Sequence, residues 1–210
     1  MFIKICGITK PEQAYEISKY GATHIGVIFY EKSPRHISLD QIKDIKNTLP
    51  KPTKLVAVTV NPDISTVDKL LKTVDLVQFH GDETIQFIKN FPKEKVIKAF
   101  RLGSQKELSK IKKFSEEGYL ILVDSYSKEA YGGTGKQIKD SILRHLKDTI
   151  QKFVLSGGLS EENIEKMITS VKPYGVDASS KLEISPGVKN LEKVKKFIKI
   201  AKYKLGDLDR

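Results

Sequence analysis

The first twenty residues, MFIKICGITKPEQAYEISKY (Met1–Tyr20), contain the strand–loop–helix unit that the rest of the chain repeats. Phe2–Cys6 is a run of β-forming residues, and Pro11–Tyr20 has apolar residues at helical spacing. Thr9 opens a Thr-x-x-Glu capping box, with a proline at the start of the helix. We therefore predict a strand that leads through a short loop into a helix. Cys6, the only cysteine in the sequence, would lie at the end of that strand.

The same alternation continues to the end of the chain. Strands are predicted at Phe2–Cys6, His24–Phe29, Lys54–Val60, Leu76–Phe79, Val96–Phe100, Tyr119–Val123, Phe153–Leu155 and Gly175–Val176. Helices are predicted at Pro11–Tyr20, Leu39–Thr48, Ile64–Lys72, Glu83–Asn90, Gln105–Glu117, Lys139–Ile150, Glu161–Val171 and Leu191–Lys204.

This regularity predicts the fold class. No Pro-, Gly- or Ser-rich linker interrupts the pattern, so residues 1–210 are expected to form one domain. Several strands are continuous apolar runs, which is typical of parallel strands covered by helices. A doubly wound open sheet is the alternative. Eight regular βα units favour an α/β fold, a single-domain (β/α)8 TIM barrel.

Composition narrows the class of protein. Hydrophobic residues make up 39% and charged residues 30% of the chain, no apolar run approaches the ~20 residues of a membrane span, and no secretory signal is visible. A single cysteine allows no internal disulfide, which suits the cytoplasm. We expect a cytoplasmic protein that does not bind a membrane.

The net charge of +11 comes almost entirely from lysine, since only four of the 37 cationic residues are arginines. The lysines are spread along the predicted helices beside glutamates, whereas a nucleic-acid footprint more often combines arginine and aromatic residues on one face. We therefore favour a solvated surface over nucleic-acid binding. A positive field also suits a small anionic substrate.

The ends of strands 7 and 8 predict a phosphate site. Gly157 and Gly158 precede Ser160, which is expected to cap the following helix, and Ser179 and Ser180 follow the next strand. Backbone N–H groups at such a position bind anions, and barrels commonly bind phosphate after strands 7 and 8. An ordinary tight turn with polar neighbours is the alternative.

Further candidates lie at other strand ends. Arg35 follows strand 2, and its planar fork suits a carboxylate, although a surface arginine is equally compatible with the sequence. Gln78 and His80 at strand 4 can hydrogen-bond a ligand, but a histidine there is more often structural.

Cys6 and Asp124 would place a thiol and a carboxyl group at one barrel mouth. A thiolate whose pKa the site lowers modestly can act as a base, and a carboxylic acid whose pKa is raised by burial can donate a proton. Alone, Cys6 would be a small buried hydrophobic residue. The loop Ser125–Lys136 is expected to be a lid. No motif indicates a metal site.

Seven motifs occur in order at these strand ends, and together the sequence resembles the phosphoribosylanthranilate isomerase family over essentially its whole length. They are KICGIT (Lys4–Thr9), GVIFYEKSPRHIS (Gly26–Ser38), QFHGDE (Gln78–Glu83), LVDS (Leu122–Ser125), YGGTGK (Tyr131–Lys136), LSGGL (Leu155–Leu159) and VDASSKLE (Val176–Glu183).

The resemblance implies a cofactor-free Amadori rearrangement of N-(5-phosphoribosyl)anthranilate in tryptophan biosynthesis. Asp124 would be the acid and Cys6 the base, and Arg35 would hold the anthranilate carboxylate. Gly158 and its neighbours, with the two serines after strand 8, would hold the phosphate. The family commonly has glycine where this chain has Lys181, for which we expect an ordinary backbone and a solvent-facing ammonium near Glu183.

Three other readings stay open. The related histidine-pathway sugar isomerase shares the fold and reaction but uses two aspartates, which Cys6 argues against, and an enzyme acting on both substrates is a further possibility. A basic binding protein that has kept a barrel is the third. Relatives in the resembled family occur as monomers and homodimers.

Overall fold

The computed structural model describes residues 1–102, 105–124, 146–147, 149–150 and 152–208. Its centre is a closed barrel of eight parallel strands that pair in chain order, with β8 returning to β1. The strands are β1 (Phe2–Cys6), β2 (His24–Ile28), β3 (Lys54–Thr59), β4 (Leu76–Phe79), β5 (Val96–Arg101), β6 (Leu120–Asp124), β7 (Phe153–Ser156) and β8 (Gly175–Ala178). The predicted barrel is confirmed.

Seven α-helices surround this barrel within the described residues. They are α1 (Pro11–Tyr20), α2 (Leu39–Thr48), α3 (Ile64–Leu71), α4 (Ile85–Ile88), α5 (Gln105–Glu116), α6 (Ile164–Val171) and α7 (Leu191–Leu208). The helix predicted at Lys139–Ile150 falls mostly outside the described residues, as does the predicted lid Ser125–Lys136. None of the described helices is long and apolar enough to cross a membrane.

At two helices the expected capping side chain does not cap the helix, although α1 begins at the predicted residue. Helix α1 begins at Pro11 without a side-chain cap, and the Thr9 hydroxyl instead donates to the carbonyl oxygen of Gly187 at 2.7 Å. Ser160 does not cap a helix at Glu161, since α6 begins three residues later at Ile164.

Helix α4 is shorter than predicted at both ends. Thr84 caps it through a hydrogen bond from the Phe87 N–H. Glu83, which was predicted to be helical, turns its carboxylate to accept hydrogen bonds from the N–H groups of Asn61 and Gly81. The buried ammonium of Lys98 pairs with the same carboxylate at 2.9 Å.

The barrel interior changes from apolar to polar along the strands. One buried cluster consists of Phe2, Val56, Leu76, Ile97, Ala99, Leu122 and Val154. The larger cluster packs the outward faces of the strands against the helices. Side chains alternate between the two faces of a strand. Residues two or four positions beyond a member of the inner cluster, toward the carboxyl end of its strand, therefore also point inward.

A small antiparallel hairpin follows β8 and was not predicted. It consists of β9 (Glu183–Ser185) and β10 (Val188–Lys189), joined by a turn in which Gly187 has φ +82°. The Gln13 side chain bonds both the N–H and the carbonyl oxygen of Lys189, so the hairpin is attached to helix α1.

Candidate active site

Polar side chains fill the carboxyl-terminal end of the barrel interior. Lys4 and Cys6 lie two and four positions beyond Phe2, and Asp124 lies two positions beyond Leu122, so alternation turns all three inward. Inward-facing polar residues at this end include Lys4, Cys6, Gln78, His80, Asp124, Ser156 and Asp177. These seven come from five strands, and barrel enzymes carry their chemistry at this end.

Cys6 is buried beside an ion pair. The Lys4 ammonium lies 3.0 Å from Asp177 Oδ1, and Lys4 is fully buried. The second oxygen of Asp177 accepts a hydrogen bond from Ser156 Oγ at 3.3 Å. Lys4 also interacts with Cys6 through charge and a side-chain hydrogen bond.

The site does not meet the condition that it lowers the pKa of Cys6. Burial raises the pKa of the thiol, because the thiolate is poorly solvated inside the barrel. The Lys4 ammonium opposes this effect, the Asp177 carboxylate adds to it, and Lys189 opposes it again. The thiol is therefore the major form at neutral pH. The ammonium groups of Lys4 and Lys189 stabilise the thiolate and so limit the rise in its pKa.

Arg35 reaches the same rim and is held there by Glu183. Its Nε and Nη2 atoms donate to the Glu183 carboxylate at distances between 2.6 and 3.1 Å. The buried Lys189 ammonium lies 2.7 Å from Glu183 Oε1. This cluster contains two cations and one anion, so it keeps one net positive charge. Hydrogen bonding to Glu183 raises the pKa of Arg35, which stays charged.

Glycine at position 7 lets these groups approach β1. Gly7 has φ +77°, and a Cβ there would lie 2.7 Å from Arg35 Cδ and 3.0 Å from Ser179 Oγ. The Ser179 hydroxyl donates to the Cys6 carbonyl oxygen at 3.0 Å. Arg35 and Ser179 therefore lie against the loop that follows Cys6.

The loop after β8 has an ordinary backbone at Lys181, the position where the resemblance implied glycine. Ser180–Leu182 forms one turn of 3-10 helix, and Lys181 does not have a positive φ. Lys181 is exposed, as expected. The expected nearness of its ammonium to Glu183 stays a prediction; the Glu183 carboxylate itself pairs with Arg35 and Lys189.

The glycines after β7 have left-handed backbones. Gly157 has φ +100° and Gly158 has φ +65°, a region that favours glycine. The Asn163 side chain donates to the Gly158 carbonyl oxygen and accepts from the Ser160 N–H, each at 2.9 Å. The turn is therefore fixed beside the loop after β8, since the two strands are neighbours in the barrel.

On the other side of the mouth, His80 connects Gln78 with Asp124. Burial lowers the pKa of His80 to about 4, with help from Lys4, so the imidazole is neutral at neutral pH. Gln78 Nε2 lies 3.1 Å from His80 Nδ1, and His80 Nε2 lies 3.8 Å from Asp124 Oδ2. If the Gln78 amide donates, Nδ1 is the acceptor and the imidazole proton faces Asp124.

The predicted site residues thus share the mouth of one barrel, with the thiol and Arg35 on one side and His80 and Asp124 on the other. Sequence reasoning gave no site role to Lys4, Asp177 or Lys189, and did not foresee that Glu183 holds Arg35. Motif position was the available signal for Lys4 and Asp177, which lie within KICGIT and VDASSKLE, whereas Lys189 lies outside the motifs. Among the residues described, no three His, Cys, Asp or Glu side chains are grouped to hold a metal ion.

Comparison with known proteins gives one consistent family. The family model described as N-(5'-phosphoribosyl)anthranilate isomerase matches residues 3–200. A protein of that name from a Sulfurihydrogenibium species is 56% identical over 202 residues, which cover 96% of this chain and 99% of the relative.

Solved structures agree with this result. A phosphoribosyl anthranilate isomerase in complex with reduced 1-(o-carboxyphenylamino)-1-deoxyribulose 5-phosphate superposes with a TM-score of 0.85 and 32% identity, covering 97% of this chain and 99% of that one. Monomers generated from the dimeric Thermotoga maritima enzyme superpose with a TM-score of 0.84, at the same identity and coverage.

Proposed function

The chain belongs to the N-(5'-phosphoribosyl)anthranilate isomerase family, and from this premise we propose that it converts N-(5-phosphoribosyl)anthranilate to 1-(2-carboxyphenylamino)-1-deoxyribulose 5-phosphate in tryptophan biosynthesis. One observation carries the assignment of roles. The thiol of Cys6 and the carboxyl group of Asp124 point into the same barrel mouth from β1 and β6. Residues 1–210 act as one domain in this proposal.

Asp124 is the acid that opens the sugar ring. Its proton goes to the ring oxygen, the bond from that oxygen to C1 breaks, and the bonding electron pair stays on the oxygen. The nitrogen lone pair of anthranilate then forms the C=N bond of a protonated Schiff base. His80 does not take up this proton at neutral pH, because its pKa is about 4.

Cys6 is the base in the second step. Its thiolate takes the proton from C2, the C–H electron pair forms a C1=C2 bond, and the electrons of the C=N bond return to nitrogen. The resulting enol becomes the ketone when its hydroxyl loses a proton and C1 gains one. C2 is oxidised and C1 reduced within the same molecule, so these steps balance without an external oxidant or reductant.

The anionic ends of the substrate determine its orientation. Arg35 presents a guanidinium whose Nη1 atom makes no hydrogen bond to any residue that the structure describes, and this end of the fork is available to the anthranilate carboxylate. The loops after β7 and β8, with Gly157, Gly158, Ser179 and Ser180, hold the phosphate. Gln78 and His80 line the side of the mouth nearest Asp124.

The proposal is tested with Cys6→Ala and Asp124→Asn. Anthranilate fluorescence should disappear when wild-type protein meets freshly generated substrate, and each variant should lose about 10²–10⁴-fold in kcat. Asp68→Asn, which changes an exposed carboxylate on α3, is the matched control and should keep wild-type activity. Wild-type kcat in Cys6→Ala or Asp124→Asn, with an unchanged circular dichroism spectrum, would exclude that residue from its role.

Two finer points stay predictions. A relative is described as dimeric, and for this chain a monomer or a homodimer is expected. Sedimentation at the enzyme's working concentration distinguishes the two. The cytoplasmic location also remains a prediction.

A further inference from the structure

Lys4 is a buried charge for which the proposed reaction gives no role. Its side chain has 0% exposed surface, and it lies at the level of the site rather than at the base of the barrel. The ammonium bonds Asp177 at 3.0 Å on one side and interacts with Cys6 on the other. Replacing such a pair by apolar side chains often leaves stability unchanged or improves it. Packing alone therefore does not account for the pair.

The backbone forces Lys4 and Cys6 together. They are two residues apart on β1 and so share one face. Gly26 is the direct partner of Cys6 on β2, and a Cβ there would lie 2.8 Å from Cys6 Sγ and 2.9 Å from Lys4 Cε. The lysine stem and the sulfur thus occupy the space above a single glycine, and Asp177 faces Lys4 across the β1–β8 pair.

Charges from several elements act on Cys6. Lys4 on β1 and Lys189 on β10 favour the thiolate, and Asp177 on β8 disfavours it. Arg35, in the loop after β2, also interacts with the Cys6 charge. Lys4 has the largest effect among these charged groups, second only to burial. Burial acts to lower the pKa of Lys4, but the charges of Asp177 and Cys6 and the hydrogen bonds to them outweigh burial and leave that pKa raised, so the ammonium persists at neutral pH.

We propose that Lys4 is a positioning residue for the base of the reaction, since its ammonium stabilises the thiolate of Cys6 and holds the sulfur toward the substrate. Asp177 keeps Lys4 charged and oriented. Lys4 itself stays protonated while the proton of C2 moves to the sulfur. The inference rests on the proposed role of Cys6, but its test does not need turnover.

The test is a titration of the thiol by its ultraviolet absorbance in Lys4→Met. Cys6 is the only cysteine in the sequence, so subtracting the spectrum of Cys6→Ser isolates the thiolate. We expect the midpoint to move to higher pH in Lys4→Met, with a fall of about tenfold or more in thiolate at neutral pH. The alkaline shift should also appear in the pH profile of kcat/KM.

Lys98→Met is the matched control. Lys98 is likewise a buried lysine paired with a carboxylate, but it lies on the outward face of β5 beside Glu83. Its loss should reduce stability and leave the thiol titration unchanged. The inference is overturned if Lys4→Met titrates like wild type, or if Lys98→Met moves the midpoint equally.

If Lys4→Met does not fold, Lys4→Met/Asp177→Asn removes both members of the pair and is compared with Asp177→Asn. The double variant should still contain less thiolate at neutral pH than Asp177→Asn does, and equal titrations would overturn the inference. A normal Lys4 effect on the thiol together with full activity in Cys6→Ala would instead refute the role of Cys6 and leave the electrostatic coupling intact.

Discussion

Gly26→Ala adds one methyl group at the place where Cys6 and Lys4 pack. The new Cβ would lie 2.8 Å from Cys6 Sγ and 3.0 Å from Cys6 Cα, whereas non-bonded carbon atoms prefer about 3.5–4.0 Å. The overlap is therefore about 1 Å. The contact with Cys6 Cα involves backbone, so the side chain cannot relieve all of it by rotation.

The expected losses follow from this overlap. Adding a methyl group to a packed interior typically costs about 1–3 kcal/mol, which lowers Tm by about 2–12 °C for a chain of this size. A displacement of about 1 Å in a catalytic group can cost about 10²-fold in rate. We expect kcat/KM of Gly26→Ala to fall by this factor even at temperatures where the variant is fully folded.

Two other glycines serve as controls. In Gly175→Ala the added Cβ would lie 2.5 Å from Phe2 Cβ, at the opposite end of the barrel, so stability should fall while kcat/KM of the folded protein stays close to wild type. In Gly206→Ala the nearest contact is Met1 Cε at 3.8 Å, and helix α7 should be unchanged or slightly stabilised.

Activity is measured by the decay of anthranilate fluorescence and stability by thermal melting. The reasoning fails if Gly26→Ala keeps wild-type kcat/KM. It also fails if the ratio of lost activity to lost stability is the same in Gly26→Ala and Gly175→Ala, since the methyl group would then act through folding alone.

Three further outcomes are expected. Because burial raises the pKa of Cys6, kcat/KM should rise as the pH increases from neutral, and a flat profile over that range would contradict Cys6 as the base. Arg35→Met should lower the binding affinity for the reduced product analogue by about 10–10²-fold, while Glu183 keeps its bond to Lys189. Equal affinities of wild type and variant in a binding titration would refute the contact between Arg35 and the carboxylate. Lys181→Gly should leave kcat unchanged and shift KM slightly, less at high salt than at low; a hundredfold rise that persists in salt would show a direct phosphate contact.

Sequence patterns predicted all eight barrel strands, because runs of β-forming residues are a local signal. The bounds of the elements were predicted less well. The strand at Phe2–Cys6 has its predicted bounds, and β8 extends two residues beyond the prediction, to Ala178. The apolar run gave no sign that Asp177 would be a strand residue. Helix α7 likewise continues to Leu208, past the predicted end at Lys204.

The site was only partly predictable, because its charges pair over long distances in sequence. A lysine in a strand such as Lys4 normally suggests an exposed face, and only the closure of the barrel brings it to Asp177. Glu183 and Lys189 form part of a hairpin too short for a periodic signal. Glu183 meets Arg35 and Lys189 only after the loop has folded, so no local sequence pattern predicts this cluster.

The closure of β8 on β1 also has a consequence for synthesis. The bonds that complete this side of the mouth join residues from the two ends of the chain: Lys4 to Asp177, Thr9 to Gly187 and Gln13 to Lys189 are 173, 178 and 176 positions apart. Lys4 therefore leaves the ribosome long before its counter-ion, Asp177, is synthesised. A nascent or truncated chain that ends before Gly175 leaves β1 with an unpaired edge, which is open to aggregation and to proteases. We expect incomplete chains to be inactive and, because the edge of β1 is unpaired, to be degraded by proteases.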